Sequence, residues 1–227
     1  MTFEEKKSPR ITSVGDSALL IELDQKITPE INAQVHALDL QMQGELLNSV
    51  LELVPGYSSI LVRYNPLVRK FSEIEGWVWE CLASSSGEMV QLSGETAIPV
   101  QYGGEDGPDL DFVAKYHHLT PKEVVHRHSD QIYRVGMMGF TPGFAYLMGL
   151  DPTIETPRLD TPRTKVPAGS VGIAGAQTGV YPLESPGGWQ IIGKTDKKLF
   201  DPENAPYFLL SPGDAVRFIP LIDGNNP

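Results

Sequence analysis

Half of the glycines in this chain fall in one quarter of its length. Between Gly136 and Gly193, a span of 58 residues, lie eleven of the 22 glycines and seven of the 19 prolines. Glycine costs conformational entropy when it is ordered, and proline gives up a backbone donor and clashes inside a helix. Such a stretch cannot be mainly long helix. It suits tight turns, bulged strands and backbone that runs close to a ligand. Phe140, Phe144, Tyr146, Tyr181 and Trp189 are interleaved with the turns of this stretch, as are Arg158, Arg163 and Lys165, and Lys194 follows directly after it. A plain surface loop needs neither the aromatics nor so many fixed turns. The stretch therefore reads as the wall of a pocket built on a β framework.

Length and charge narrow the setting. The 227 residues allow one large domain or two modest ones. A single cysteine, Cys81, excludes an internal disulfide and fits a reducing compartment. The N-terminal residues carry no apolar core of a secretory signal, and no apolar run approaches the ~18 residues of a membrane span. A cytoplasmic protein is expected. The net charge of −11 disfavours nucleic acid and anionic membranes as partners. It leaves room for a small anion, because from Thr156 to Pro182 the charged residues are Arg158, Asp160, Arg163 and Lys165.

Along the chain, Ile11–Val14 and Ala18–Leu23 read as a strand interrupted at Gly15-Asp16. Thr28-Pro29-Glu30 opens a helix carrying Ile31, Val35, Leu38 and Met42 on one stripe, with His36 in its polar interval as a solvated residue. Val50–Val54 and Ser59–Tyr64 flank a Pro55-Gly56 turn as a hairpin. A second helix over 70–83 places Phe71, Ile74, Val78 and Leu82 on one face. The order β-α-β-β-α, with room for a further strand, predicts a small ferredoxin-like α/β unit over residues 1–88. From Thr96 onward short strands and turn signals follow one another. Two short helices are predicted among them, one capped by Asp109 and one opened by the capping box Thr120-Pro121-Lys122-Glu123. Residues 89–227 therefore read as a β-barrel or sandwich, and the fold class is α+β.

Gly188–Thr195 matches the phosphate-loop expression letter for letter. Its middle, Trp-Gln-Ile-Ile, is strand sequence, and Pro202 leaves little room for the helix whose N-terminus would face a phosphate. The match is coincidental. Prolines 157, 162 and 167 hold the chain extended and can present Arg158, Arg163 and Lys165 to a carboxylate or phosphate. A solvated loop whose cations pair with Asp160 and Glu155 satisfies the same spacing. Gly169, Gly172, Gly175 and Gly179 can free backbone amides for an anion nest, joined by Gln177, Thr178 and Tyr181; a bulged pair of barrel strands explains them equally. Four histidines lie between 117 and 128 without the carboxylate or thiolate partners of a zinc set, so no metal site is predicted. His128, next to the pocket stretch, is the candidate proton carrier.

Taken together, Gly139-Phe140-Thr141-Pro142-Gly143-Phe144-Ala145-Tyr146-Leu147, the Pro157-Arg158 and Pro162-Arg163 pairs, Val166 to Pro182, Ser185 to Gln190 and Gly193-Lys194-Thr195 resemble the family of 5-oxoprolinase B subunits. That family was formerly labelled allophanate hydrolase subunit 1 and includes KipI-type kinase inhibitors. The resemblance runs from Val14-Gly15-Asp16 to Pro212-Gly213-Asp214 and on to Phe218. It implies a cyclophilin-like barrel for the C-terminal domain. It also implies a heteromer with the C and A subunits that opens 5-oxoproline to L-glutamate at the expense of ATP, with magnesium. Two other activities found among relatives are implied as well, inhibition of a sensor histidine kinase and carboxyl transfer of the urea carboxylase type. On this reading Arg158, Arg163 and Lys165 hold the carboxylate or the transferring phosphoryl group. Phe140, Thr141, Pro142, Gly143, Phe144, Gln177, Thr178, Tyr181 and Trp189 surround the lactam, and His128 or Tyr181 moves protons.

Overall fold

The computed structural model describes residues 9–84 and 94–221, and the chain divides into two compact units, Met1–Gln91 and Leu92–Pro227. The boundary predicted at 88/89 lies outside the described residues.

In the first unit the segment read as one interrupted strand is a hairpin. β1 (Arg10–Ser13) pairs antiparallel with β2 (Ala18–Glu22), and Gly15 takes the positive φ of 63° that the reversal requires. α1 (Pro29–Gly44) starts where its signals place it: the Thr28 hydroxyl accepts from the Ile31 amide at 3.3 Å, and Pro29 occupies the first turn. β3 (Val50–Pro55) and β4 (Ser59–Tyr64) form the predicted hairpin, and α2 (Phe71–Ser84) follows. The antiparallel sheet has the order β1-β2-β4-β3. Its edge beside β2 is therefore filled from the N-terminal side of the unit; among the described residues no strand after α2 joins it. Leu19, Ile21, Ile60 and Val62 of the sheet pack against Val35, Leu38 and Met42 of α1 and Ile74, Val78 and Cys81 of α2.

One expectation for α1 fails. His36 is buried, with 6% of its surface exposed, and its Nε2 lies 3.0 Å from the Asn32 side-chain oxygen. Asn32 in turn donates to the Tyr57 carbonyl at 3.0 Å, so a polar strip at helical spacing is anchored to the β3–β4 turn. A hydropathy pattern marks such a strip as solvent-facing because it does not see the carbonyls waiting for it.

The second unit is a closed seven-stranded barrel. Its strands are β5 (Glu95–Tyr102), β6 (Tyr133–Met138), β7 (Ala145–Met148), β9 (Ser170–Ala174), β10 (Gln177–Val180), β12 (Gln190–Lys194) and β13 (Ala215–Pro220), in the order β10-β7-β6-β13-β5-β12-β9. Closure leaves no unpaired edge. β13 runs parallel to β5 over six residue pairs, and the other barrel pairs are antiparallel. α3 (Leu110–Tyr116) and α4 (Pro121–Ser129) lie between β5 and β6, and the capping box at Thr120 and Glu123 is formed in full. β8 (Arg163–Val166) and β11 (Ser185–Gly187) make a separate two-stranded ribbon.

Strand alternation produces two apolar clusters. Ile98, Val100, Val135, Leu147, Val171, Ile173, Ile192, Val216 and Phe218 belong to the main core. Phe144, Tyr181, Trp189 and Ile191 belong instead to a second cluster with Val166 of the ribbon, and Tyr146 packs against it. Ile191 and Ile192 are neighbours in sequence yet lie in different clusters, as the two faces of a strand demand. The functional region grows from the second cluster.

Candidate functional site

The second cluster is open on one side. Phe140, Phe144, Tyr146, Arg158, Pro162, Tyr181, Pro186, Gly187, Gly188 and Trp189 line a cavity of about 210 Å³. Its rings meet edge to face: Phe144 stands 5.2 Å from Tyr181 at 82° and 5.4 Å from Trp189 at 89°. The positive edge of one ring against the negative face of the next fixes each orientation. Gly187 lets Tyr181 come this close, since a Cβ there would lie 2.3 Å from the phenol oxygen. Burial pushes the Tyr146 and Tyr181 hydroxyls above the ordinary tyrosine range, although Arg158 opposes the shift in both and a backbone hydrogen bond with Trp189 also opposes it in Tyr181. Both are thus neutral donors at neutral pH.

Arg158 brings the positive charge. Its neighbours are tied across the cavity mouth: the Leu159 amide donates to the Gly188 carbonyl at 2.7 Å, and the Gln190 side-chain amide donates to the Pro157 carbonyl at 2.9 Å. The guanidinium itself forms no ion pair among the described residues. An exposed Arg with a fixed backbone beside an aromatic hollow can receive a carboxylate in bidentate fashion.

The other two predicted cations are committed elsewhere. Arg163 Nη2 donates to Asp109 Oδ1 at 2.7 Å, and its Nη1 donates to the Trp189 carbonyl at 3.3 Å. Asp109 also accepts from the Ile191 amide at 2.6 Å. Asp109 stands at the first turn of α3 as predicted, but its side chain makes no cap hydrogen bond, because it is spent on fastening the Trp189–Ile191 segment. Lys165 pairs with Glu184 at 2.9 Å in solvent. Gln190 to Lys194, the middle of the phosphate-loop match, form β12, a barrel strand, with Lys194 Nζ 3.9 Å from Asp106.

His128 is not in the cavity. It is fully buried in the barrel, stacked on Phe218 with ring centroids 4.6 Å apart. Thr178 donates its only hydroxyl hydrogen to the Gly172 carbonyl at 2.9 Å, so His128 Nε2, 2.8 Å away, must be the donor to Thr178. Nδ1 then accepts from the Tyr102 hydroxyl at 2.7 Å. Burial lowers the imidazole pKa to about 3. This is a neutral core network running across the barrel. The proton carrier read from the sequence has no route to the cavity. Nor do the glycine amides form an anion nest: Gly169 donates to the Tyr181 carbonyl and Gly175 to the Thr156 carbonyl. Gln177 opens β10, half-buried, outside the cavity lining.

Thr141, Pro142 and Gly143 line a second, larger and mostly apolar groove of about 510 Å³, together with Met138, Gly139, Phe140, Phe208, Leu210, Ser211 and Pro212. Phe140 lines both hollows and has a positive φ of 69°. For a bulky residue that conformation costs on the order of 1–3 kcal/mol and points to a functional constraint. Of the residues predicted from the sequence, the cavity gathers Arg158, Phe140, Phe144, Tyr181 and Trp189. Tyr146, Pro162 and Pro186 complete it, and Asp109 supports it from behind. Tyr146 stands among the aromatics of the stretch that reads as a pocket wall, whereas nothing local in the sequence could have found the supporting role of Asp109. Among the described residues no group of three His, Cys, Asp or Glu side chains is placed to hold a metal ion.

The chain carries its aromatic and arginine cavity on a closed barrel, and residues 9–210 match the family described as carboxyltransferase domain, subdomain C and D. The chain is 40% identical to the 5-oxoprolinase B subunit of Bacillus subtilis (strain 168), covering 92% of both chains. It is 42% identical to the corresponding B subunit of Haemophilus influenzae, covering 92% of this chain and 96% of the relative. The protein belongs to the family of 5-oxoprolinase B subunits. The crystal structure of TTHA0988 superposes with a TM-score of 0.81 at 33% identity over 92% of this chain, which spans 41% of that longer one. The name of the relatives implies further subunits. No helix among the described residues is long and apolar enough to cross a membrane.

Proposed function

We propose that this chain is the B subunit of an ATP-dependent 5-oxoprolinase and that its aromatic cavity binds 5-oxoproline. The observation that carries the reading is the position of Arg158. Of the three cations predicted to grip an anion, it is the one that lines the cavity without an ion pair among the described residues. Its guanidinium takes the substrate carboxylate. Phe144, Trp189 and Phe140 enclose the ring, and the neutral hydroxyls of Tyr146 and Tyr181 donate to the lactam carbonyl.

A five-membered lactam resists water. In the proposed reaction its carbonyl oxygen attacks the γ-phosphorus of ATP and ADP leaves. Water then adds to the activated carbon, the C–N bond opens as nitrogen takes up protons, and a second water releases phosphate to give glutamate. Charge grows on the former carbonyl oxygen, where a well-aimed donor contributes about 3–4 kcal/mol. A hollow of about 210 Å³ suits a compact cyclic acid and is too small for a nucleotide. The groove of about 510 Å³ has no charged side chain to meet a triphosphate, so ATP and its magnesium are assigned to the complex formed with the C and A subunits. The ferredoxin-like and cyclophilin-like descriptions of the two units belong to the same reading, as does a cytoplasmic location.

The match to a carboxyltransferase domain favours carboxyl transfer to a small amide as the second reading. One reconstitution separates the two. The complex is supplied with 5-oxoproline and ATP, with and without a biotinylated carrier, and glutamate release is measured. ATP-dependent release without the carrier supports the oxoprolinase. A strict requirement for the carrier, or activity within twofold of wild type after Arg158→Ala, overturns it.

A further inference from the structure

The Arg158 cavity and the larger groove share a single ring. Phe140 contributes to the lining of both, although the residue is 59% exposed. Deep packing does not hold such a ring in place. It is kept by edge-to-face contacts with Phe144 at 5.5 Å and Tyr181 at 6.4 Å, and by a tightly bonded loop beneath it. In that loop the Gly139 amide donates to the Phe144 carbonyl, the Thr141 amide to the Gly139 carbonyl, and the Phe144 amide to the Thr141 carbonyl, at 3.1, 2.9 and 3.0 Å. These bonds impose a left-handed backbone on a bulky aromatic residue, which persists only where the surroundings over-determine it. A glycine would sit there without strain. What only the ring supplies is a wall.

We propose that Phe140 is a specificity-determining partition. It closes the Arg158 cavity at a size fitting a single five-membered ring and shuts off the apolar groove behind it, so that larger cyclic acids are refused by size. The inference rests on the cyclic-amide reading above and names the feature that sets its upper limit. On the far side of the ring, Met138, Pro142, Phe208, Leu210 and Pro212 offer an apolar hollow with the hydroxyls of Thr141 and Ser211 and no charged side chain. Removing the ring joins that hollow to the arginine cavity. The merged cleft takes an acid carrying a fused benzene ring, with its carboxylate still on Arg158 and its extra ring in the groove.

The test is calorimetric binding of two probes to the full chain in its native complex. They are 5-oxoproline and its benzo-fused analogue 3-oxoisoindoline-1-carboxylate, which keeps the carboxylate and the lactam. Wild type should bind the small acid and refuse the fused one. Phe140→Ala and Phe140→Gly should each bind the fused acid about tenfold or more tightly than wild type does, the scale on which a pocket discriminates an added apolar group. The glycine variant also releases the strained backbone, so it guards against loss of folding in the alanine variant. Phe208→Ala enlarges the groove and leaves the ring of Phe140 in place, and should behave as wild type.

The partition is overturned if wild type binds both acids alike, if neither Phe140 variant gains the fused acid while still binding 5-oxoproline, or if Phe208→Ala gains as much as they do. Binding of neither acid to any form overturns the cyclic-amide reading itself, and the partition with it.

Discussion

Gln190 donates its side-chain amide to the Pro157 carbonyl at 2.9 Å and so ties the strand that follows Trp189 to the segment that carries Arg158. With the bond from Leu159 to Gly188, it holds the Arg158 backbone from both sides. Arg158→Ala should raise the KM for 5-oxoproline about 10- to 150-fold, since a charge-assisted hydrogen bond contributes about 1.5–3 kcal/mol. Arg158→Lys should recover part of that loss but not the bidentate geometry. Gln190→Ala removes one neutral bond and leaves the charge, so a KM increase of up to about tenfold is expected with kcat close to wild type. Lys165→Ala should stay within about twofold, because that lysine is spent on an exposed pair with Glu184. Steady-state kinetics of the assembled enzyme read all four.

Arg163 and Asp109 are expected to matter through position. Asp109 is almost buried and holds both Arg163 and the Ile191 amide, while Arg163 remains 31% exposed. Breaking a fully buried pair costs about 3–5 kcal/mol, and partial solvation of Arg163 reduces that to about 1–3 kcal/mol. Asp109→Ala should lower the denaturation midpoint more than Arg163→Ala does, because it also orphans the Ile191 amide. A double-mutant cycle in urea measures the coupling. Equal, additive losses would show that the two side chains do not act on Trp189 as a unit.

His128 gives the barrel a pH dependence of definite sign. Its folded pKa is lowered to about 3 by burial, below the ordinary value of 6.5. The unfolded chain therefore binds the proton first. The stability contributed by the neutral imidazole is complete above pH ~6.5 and is lost as pH falls toward ~3, at up to about 1.4 kcal/mol per pH unit. Asp39, raised to about 6 by burial in the other unit, acts in the opposite direction between its ordinary value of 3.8 and 6, since its stabilising protonated form is lost as pH rises. Comparing wild type with His128→Gln isolates the histidine. Denaturation profiles between pH 4 and 7 should be steeper for wild type, and parallel profiles would contradict the buried neutral network.

Local signals made most of the secondary structure legible. Thr28-Pro29 and the capping box at Thr120 start helices where their hydrogen bonds are found, and the 136–193 stretch folds into strands around a cavity as its glycines and aromatics indicate. Misread features depend on partners remote in sequence. Asp109 has the signature of a helix cap, yet its carboxylate answers an arginine 54 residues away. His128 has the signature of a proton carrier and lies in a hydrogen-bonded core whose hydroxyl partner is 50 residues away. Arg163 and Arg158 stand in nearly identical Pro-Arg contexts, and only the fold sends one to the wall and the other to the mouth. Periodicity separates the two faces of a strand; it does not say which face meets another element and which encloses space.

Gly187 offers the sharpest test of the cavity. Its missing side chain lets the Tyr181 ring reach the wall, and a Cβ would meet Oη at 2.3 Å, Cζ at 2.8 Å and Cε1 at 2.9 Å. Those are atoms of one rigid, buried ring, so no flexible chain end can give way. Gly187→Ala must turn Tyr181 toward Phe144 and Trp189 or push back the β11 edge of the ribbon. Overpacking of this kind costs about 1–3 kcal/mol. Because the displaced ring is itself a wall, binding of 5-oxoproline should be lost more completely than stability is. Gly187→Ala together with Tyr181→Phe leaves the ring carbons too close and should recover little. Tyr181→Leu, with a smaller and flexible side chain, should restore most of the denaturation midpoint of Gly187→Ala without restoring binding. Normal binding by Gly187→Ala would show that the ligand does not occupy the space between Tyr181 and Trp189.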